Sequence, residues 1–159
     1  TQMMNKRMSK LEVALKEISD DDKLVVYDYS LQDPGRPASS PDVIIISWGS
    51  TKGAILDAMD QFGIDRRDLR VKFIQLKLLH PFPTQLVEKV LDTGGILVDV
   101  EMNYSSQLGI LFEQNLHRKI DYRIVKYNGR PMSSSEIYNA LLRIDSGDAP
   151  RRIVLEHGT

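Results

Sequence analysis

Two stretches of this 159-residue chain gather residue types that can do chemistry. The first is Ser47-Trp48-Gly49-Ser50-Thr51-Lys52-Gly53, which follows the most apolar run of the chain, Val43-Ile44-Ile45-Ile46, and leads into a segment of helical period from Ala54 to Phe62. A buried strand that turns at glycine and caps a helix with Ser50 or Thr51 aims free backbone N–H groups, and the positive end of a helix dipole, at one spot that can hold an anion. The spacing matches neither a Walker A loop nor the G-x-G-x-x-G of dinucleotide folds. Gly49, Ser50, Thr51, Lys52 and Gly53 therefore stand either as an anion contact or as a structural turn. The second stretch is Glu101 and Asn103, with Gln107 close behind, at the C-terminal end of an apolar strand, where ligand-contacting residues of α/β sheets tend to sit. Read as a lone carboxylate, Glu101 serves either that role or a cap or interface.

Other chemistries find less support. His80, His117 and His157 are isolated from one another and from carboxylates at metal-ligand spacing, so His80 reads as a packed loop residue and His117 as a helix end. No nucleophile elbow is present. The absence of cysteine excludes a disulfide framework, a thiolate nucleophile and an iron–sulfur cluster held by this chain. A formal net charge of −1 gives no electrostatic footprint for nucleic acid; the basic run Arg66-Arg67-Asp68-Leu69-Arg70-Val71-Lys72 is interleaved with acid and reads as a solvated face. Without a basic groove around them, Trp48, Tyr104, Tyr122 and Tyr127 read as core or interface aromatics. No signal peptide or membrane span is visible, so a cytoplasmic protein is expected, and a start at Thr1 suggests a piece of a longer one.

The elements that must position these residues follow from periodicity. Gln2 to Ser19 reads as a helix whose Met4, Met8, Leu11, Leu15 and Ile18 form one stripe, either packed into the same domain or docked on a neighbour. Asp20-Asp21-Asp22 ends it in solvent, Leu24 to Tyr27 is a short strand, and the stretch from Ser30 to Pro41, with three prolines, is a long surface connection. From Asp42 the pattern is a strand–helix alternation: strands Val43–Ser47, Val71–Leu76, Ile96–Val100 and Tyr122–Lys126, each followed by a helix. Pro83 fits a first turn, Ser105 or Ser106 caps the third of these helices, and Ser133 with Glu136 forms a capping box on the last. Continuous β-branched strands of this kind need a parallel sheet covered on both faces. The chain is expected to divide into an arm over 1–41, an α/β domain over 42–146 and a tail over 147–159.

Several stretches, taken in order, resemble one family. Lys6-Arg7-Met8-Ser9-Lys10-Leu11, the body from Val43 to Gly53, Leu79-His80-Pro81-Phe82-Pro83, Val100-Glu101-Met102-Asn103 with Gln107-Leu108, and Lys126-Tyr127-Asn128-Gly129-Arg130-Pro131 are similar to the C-terminal end of the α subunit of 2-oxoacid:ferredoxin oxidoreductases. The resemblance runs from about Lys6 to about Leu142. It implies a three-layer α/β/α sandwich, like the C-terminal domain of transketolase, with a mostly parallel five-stranded sheet and one antiparallel strand, for which Leu24 to Tyr27 is the natural candidate. It implies a holoenzyme that decarboxylates a 2-oxo acid on thiamine diphosphate with Mg, passes electrons through a [4Fe-4S] cluster to ferredoxin, and gives the acyl group to coenzyme A. This chain would be a structural and assembly domain binding none of these groups. Its partners would be an upstream pyrimidine-binding domain of the same subunit and a β subunit, with Met4 to Ile18 as an interface seam and Gly49 to Gly53 at a domain contact. The residue-level alternative is a free-standing regulatory domain that binds a nucleotide or phosphate at Gly49 to Gly53.

Overall fold

Three consecutive isoleucines cannot all be buried on a strand unless both of its faces are covered, and Ile44, Ile45 and Ile46 are each 0% exposed. The computed structural model describes residues 2–28, 41–66, 69–91 and 94–156. Within them, β2 (Val43–Trp48) lies inside a sheet with β1 (Leu24–Asp28), β3 (Val71–Leu76), β4 (Ile96–Glu101), β5 (Tyr122–Val125) and β6 (Arg152–Val154), in the order β1-β3-β2-β4-β5-β6. Five of these strands are parallel, and β1 runs antiparallel to β3 with Val26 opposite Ile74. The odd strand is the one expected. The strand count is six rather than five, because Arg152–Val154, in the segment read as a tail, pairs with β5. That segment is short, and its one buried residue, Ile153, gives too little period to read. The sheet thus draws on all three expected segments. The proline-rich connection over 29–40, along with Arg67, Asp68 and His157, lies outside the described residues.

Helices cover both faces. On one, α3 (Lys52–Asp65) and α6 (Ser134–Asp145) bring Ile55, Ala58, Met59, Phe62, Ile137, Ala140, Leu141 and Ile144 onto Ile45, Phe73, Val98, Val100 and Ile124. On the other, α4 (Thr84–Val90) and α5 (Gln107–Leu116) bury Val87, Leu108 and Phe112 against Ile44, Ile46, Ile74 and Leu97. Each fully buried Leu, Ile or Phe contributes about 1.5–3 kcal/mol. The first three crossovers share one hand: β2 to β3 steps one way under α3, while β3 to β4 and β4 to β5 step the other way under α4 and α5. The step from β5 to β6 continues in that second direction with α6 on the face of α3, so it has the opposite hand.

Two local expectations change at the N-terminus. Asp20-Asp21-Asp22 does not end a helix but opens a short one, α2 (Asp20–Lys23), where Ser19 Oγ accepts from Asp22 N (3.2 Å) and the acids face the positive helix end. In α1 (Gln2–Glu17), Met4 and Met8 are 58% and 55% exposed, while Leu11, Leu15 and the following Ile18 are half-buried. The upper half of the stripe is therefore not core. The basic run is not a uniformly solvated face either: Arg70 is buried, and Lys72 reaches Val90 O at 3.4 Å and Asp28 at 3.8 Å.

The connection from β5 to α6 is held from inside. Lys126, 1% exposed, donates to Pro131 O and to both oxygens of Glu136, each at 2.8 Å. Glu136 in turn closes the expected capping box with Ser133. Burial alone would raise the Glu136 carboxyl, but Lys126 and the Ser133 backbone and hydroxyl outweigh it and hold it below the usual range. Glu136→Gln leaves the Lys126 ammonium buried without its counter-charge, and a loss of about 3–5 kcal/mol in urea unfolding is expected. Because the folded pKa of Glu136 is depressed, its contribution is present above the unfolded value and is lost as pH falls through the folded one. The acid limb of the wild-type stability profile should therefore flatten in the variant.

Candidate functional site

The strand order places a topological switch between β2 and β4: the connection leaving β2 goes to β3 on one side, and the strand after β3 returns to lie on the other. At their C-terminal ends is a crevice of about 260 Å³ lined by Trp48, Gly49, Ser50, Thr51, Met102, Asn103 and Gln107. The two stretches singled out from the sequence thus meet. Gly49 turns the chain out of β2 at φ +71° and begins a 3-10 turn, Gly49–Thr51, that runs into α3. That left-handed backbone is what glycine permits.

The expected caps are not made. Thr51 stands at the head of α3, but its hydroxyl bonds Ser47 Oγ (2.6 Å) and Trp48 O (3.1 Å). Ser47 Oγ donates on to Val100 O at 2.5 Å, tying β2 to β4. Of the loop residues, Lys52 and Gly53 do not line the crevice; the Lys52 ammonium lies 5.2 Å from the centre of the Tyr27 ring, which itself stacks on Phe73. At the head of α5, Ser106 sits at φ +57° with no side-chain cap bond. Glu101 does the capping instead.

Glu101 is 1% exposed and accepts four N–H donors. Its Oε1 takes Leu108 N (2.7 Å) and Gly109 N (3.1 Å), the second and third amides of α5; its Oε2 takes Trp48 Nε1 (3.0 Å) and Asn103 Nδ2 (2.6 Å). Asn103 Oδ1 accepts from Ser106 N at 2.7 Å and Gln107 N at 3.4 Å. A carboxylate at a helix N-terminus meets the unsatisfied amides and the positive dipole together. The anion that this sheet edge is built for is therefore already present, as a side chain of β4.

Glu101 is not a lone carboxylate. Asp99, two residues back and so on the same face of β4, is fully buried and bonded to the Ser106 hydroxyl. Burial first, then the neighbouring Glu101 charge, push the Asp99 carboxyl well above the usual range, against the Ser106 hydrogen bond and the Arg123 charge. Gly109 makes room for it: a Cβ there would fall 2.8 Å from Asp99 Oδ2 and 2.5 Å from Ser106 Oγ. The readable signal was the spacing Asp99-Val100-Glu101, two acids at period two inside an apolar strand.

Around the crevice the surface is aromatic. Trp48, Met102, Tyr104 and Tyr127 are 41%, 40%, 67% and 48% exposed. Tyr104 and Tyr127 pack edge to face at 5.0 Å, and the Arg152 guanidinium lies 4.9 Å from the centre of the Tyr104 ring while donating to Tyr104 O. Tyr122, by contrast, is half-buried against the core. His80 is exposed rather than packed, beside a cis bond to Pro81, and His117 ends α5 at φ +52°. Among the described residues, no three His, Cys, Asp or Glu side chains are gathered as a metal ion would require, and no helix is long and apolar enough to cross a membrane. A second hollow, of about 570 Å³, lies between Leu15 and Lys16 of α1 and Phe82, Leu86 and Lys89.

Residues 41–137 match the family model described as pyruvate:ferredoxin oxidoreductase core domain II. The chain is 36% identical over 157 residues to the 2-oxoacid:ferredoxin oxidoreductase subunit alpha of Saccharolobus solfataricus, covering 98% of this chain and 23% of that one. It is also 36% identical over 158 residues to the 2-oxoacid:ferredoxin oxidoreductase 2, subunit alpha, of Aeropyrum pernix, again with 23% of that protein covered. A similar solved structure is the 2-oxoglutarate:ferredoxin oxidoreductase from Magnetococcus marinus with 2-oxoglutarate, coenzyme A and succinyl-CoA bound. It superposes with a TM-score of 0.70 at 26% identity, over 93% of this chain and 23% of that one. The chain thus spans about a quarter of the length of the relatives it matches.

Glu101→Gln keeps the shape of the side chain but turns an amide NH₂ toward donors that now share a carboxylate. A loss of about 1–3 kcal/mol is expected. Trp48, the single tryptophan, gives the readout: its emission should shift to the red before global unfolding in the variant and not in the wild type.

Proposed function

Because this chain belongs to the pyruvate:ferredoxin oxidoreductase core domain II family, we propose that it is the C-terminal structural and assembly domain of the α subunit of a 2-oxoacid:ferredoxin oxidoreductase. The holoenzyme oxidatively decarboxylates a 2-oxo acid to its acyl-CoA with ferredoxin as electron acceptor. Thiamine diphosphate, Mg, a [4Fe-4S] cluster and coenzyme A belong to that holoenzyme and are held by its other parts. A thiolate-held cluster needs cysteine, of which this chain has none, and the described residues bring together no group suited to a metal. No step of the reaction is assigned to residues of this chain.

The observation that carries the assembly role is the state of the sheet edge. The position where α/β sheets usually receive a ligand is filled by Glu101, while hydrophobic side chains stand exposed around it at Trp48, Met102, Tyr104 and Tyr127. Exposed apolar surface of that kind suits a protein neighbour. The neighbours are a pyrimidine-binding domain of the same subunit and a β subunit, with ferredoxin reached through the holoenzyme, in the cytoplasm. The exposed Met4 and Met8 of α1, with the half-buried Leu11, Leu15 and Ile18, form a further interface seam. The reading as a nucleotide- or phosphate-binding regulatory domain has less support, since the Lys52 ammonium is drawn over Tyr27 and the Thr51 hydroxyl is committed to Ser47 and Trp48.

In the assembled oxidoreductase, Leu11→Asp or Leu15→Asp is expected to reduce association of the subunits on size-exclusion chromatography while leaving cooperative unfolding of the body after Pro41 intact. Loss of that cooperativity with assembly retained would make the seam core instead. Titration calorimetry with ATP and inorganic phosphate separates the second reading: micromolar binding that disappears in Lys52→Ala would favour it.

A further inference from the structure

The sheet edge rests on two carboxyl groups that share one face of β4 and lie under one loop. Asp99 and Glu101 are 0% and 1% exposed, with one residue between them on the strand. Burial and a neighbouring like charge both disfavour ionisation, so the carboxyl that finds fewer donors or cations is the one held as an acid. The donors around them decide which. Glu101 accepts four N–H groups, from Leu108, Gly109, Trp48 and Asn103, and every one of those bonds needs oxygen as an acceptor. Asp99 receives only the Ser106 hydroxyl at Oδ2; its buried Oδ1 meets no donor.

The other faces offer little to keep Asp99 ionised. From β2 its neighbour in register is the apolar Ile46. From β5 its neighbour is Arg123, whose guanidinium is turned to Glu113 of α5 at 2.7 Å. Glu113 also accepts from Ile120 N at 2.9 Å, so the positive charge on this face is already balanced by an acid of the covering helix. From the head of α5 come Ser106 and Gly109, neither of them charged.

We propose that Asp99 carries a proton at neutral pH, and that this neutral acid latches the loop over residues 102–106 to the sheet through Ser106. The latch stands independently of the role assigned to the domain. Its consequence is a link between proton binding and order at the aromatic edge, because Ser106 is also the residue whose backbone N–H is held by Asn103. With the loop closed, Asp99 holds its proton more tightly than an ordinary carboxyl; with the loop open and the group in water, it does not. Opening is therefore favoured as pH rises between the ordinary value and the raised folded one. Across that window, the protection of the Ser106 and Gln107 amides against hydrogen exchange, corrected for intrinsic rates, should fall roughly tenfold for each pH unit.

Infrared spectroscopy of the whole chain tests this directly. At neutral pH the wild type should show the carbonyl band of a protonated carboxyl, absent in Asp99→Asn and retained at a shifted frequency in Ser106→Ala, where the acid remains but its hydroxyl partner is gone. Amide protection in Asp99→Asn should lose its pH dependence. If Asp99→Asn does not fold, isotope-labelled aspartate in the wild type settles the assignment, since the band must move with the aspartate label and not with a glutamate label. A neutral-pH spectrum without the band, or a band that follows the glutamate label, overturns the proposal.

Discussion

A single buried carboxylate organises the end of this sheet. Glu101 ends β4 at the switch point and turns Oε1 into the head of α5, where two backbone amides and the helix dipole receive it. The remaining two donors come from Trp48 on the neighbouring strand and Asn103 on the loop that follows. One residue thereby fixes the start of a helix, the position of the only indole and the path of a loop. Removing it would leave all four donors buried or half-buried without a partner, which is why the fold tolerates a charge that is 1% exposed.

That arrangement also determines what the domain can offer to other molecules. In open α/β sheets the amides at a strand-to-helix turn are the usual place for an external anion. Here α5 is answered from within, and on the facing turn the hydroxyls of Ser47 and Thr51 bond each other and the backbone of both central strands. What remains outside is a rim of indole, thioether and phenol surface. A rim of that composition fits protein contact better than phosphate capture. The same logic applies at β5, where Lys126 and Glu136 are spent on holding the connection to α6 rather than on any solvent-facing task.

Much of this was legible in the sequence because the period of the apolar residues changes cleanly from strand to helix. Val43 to Ile46 announces a strand covered on both faces, and Ala54, Ile55, Ala58, Met59 and Phe62 announce the helix that covers one of them. Ser133 and Glu136 form the box their spacing predicts. The candidate loop and the Glu101 segment were each visible, and the strand order brought them together. What could not be read was which partner each polar group would choose. Thr51 and Ser106 have the chemistry of caps, yet one hydroxyl turns inward to Ser47 and the other to Asp99, because tertiary neighbours offered better bonds than the local helix did. The spacing of Asp99 and Glu101 implied one shared strand face, but not that Glu101 would take four N–H donors and Asp99 a single hydroxyl. The sixth strand escaped because three residues of edge strand carry almost no period.

The central claim is that this sheet edge meets protein rather than ligand, and hydrogen–deuterium exchange tests it most directly. The isolated chain would be compared with the same residues inside the assembled oxidoreductase. The account predicts added protection in the assembly over Trp48 to Ser50, Met102 to Tyr104 and Tyr127, together with the exposed half of α1, and no change over Val43 to Ser47, whose amides are already held in the sheet. Equal exchange at the rim in both states, with protection gained instead on addition of coenzyme A or phosphate to the isolated chain, would contradict it.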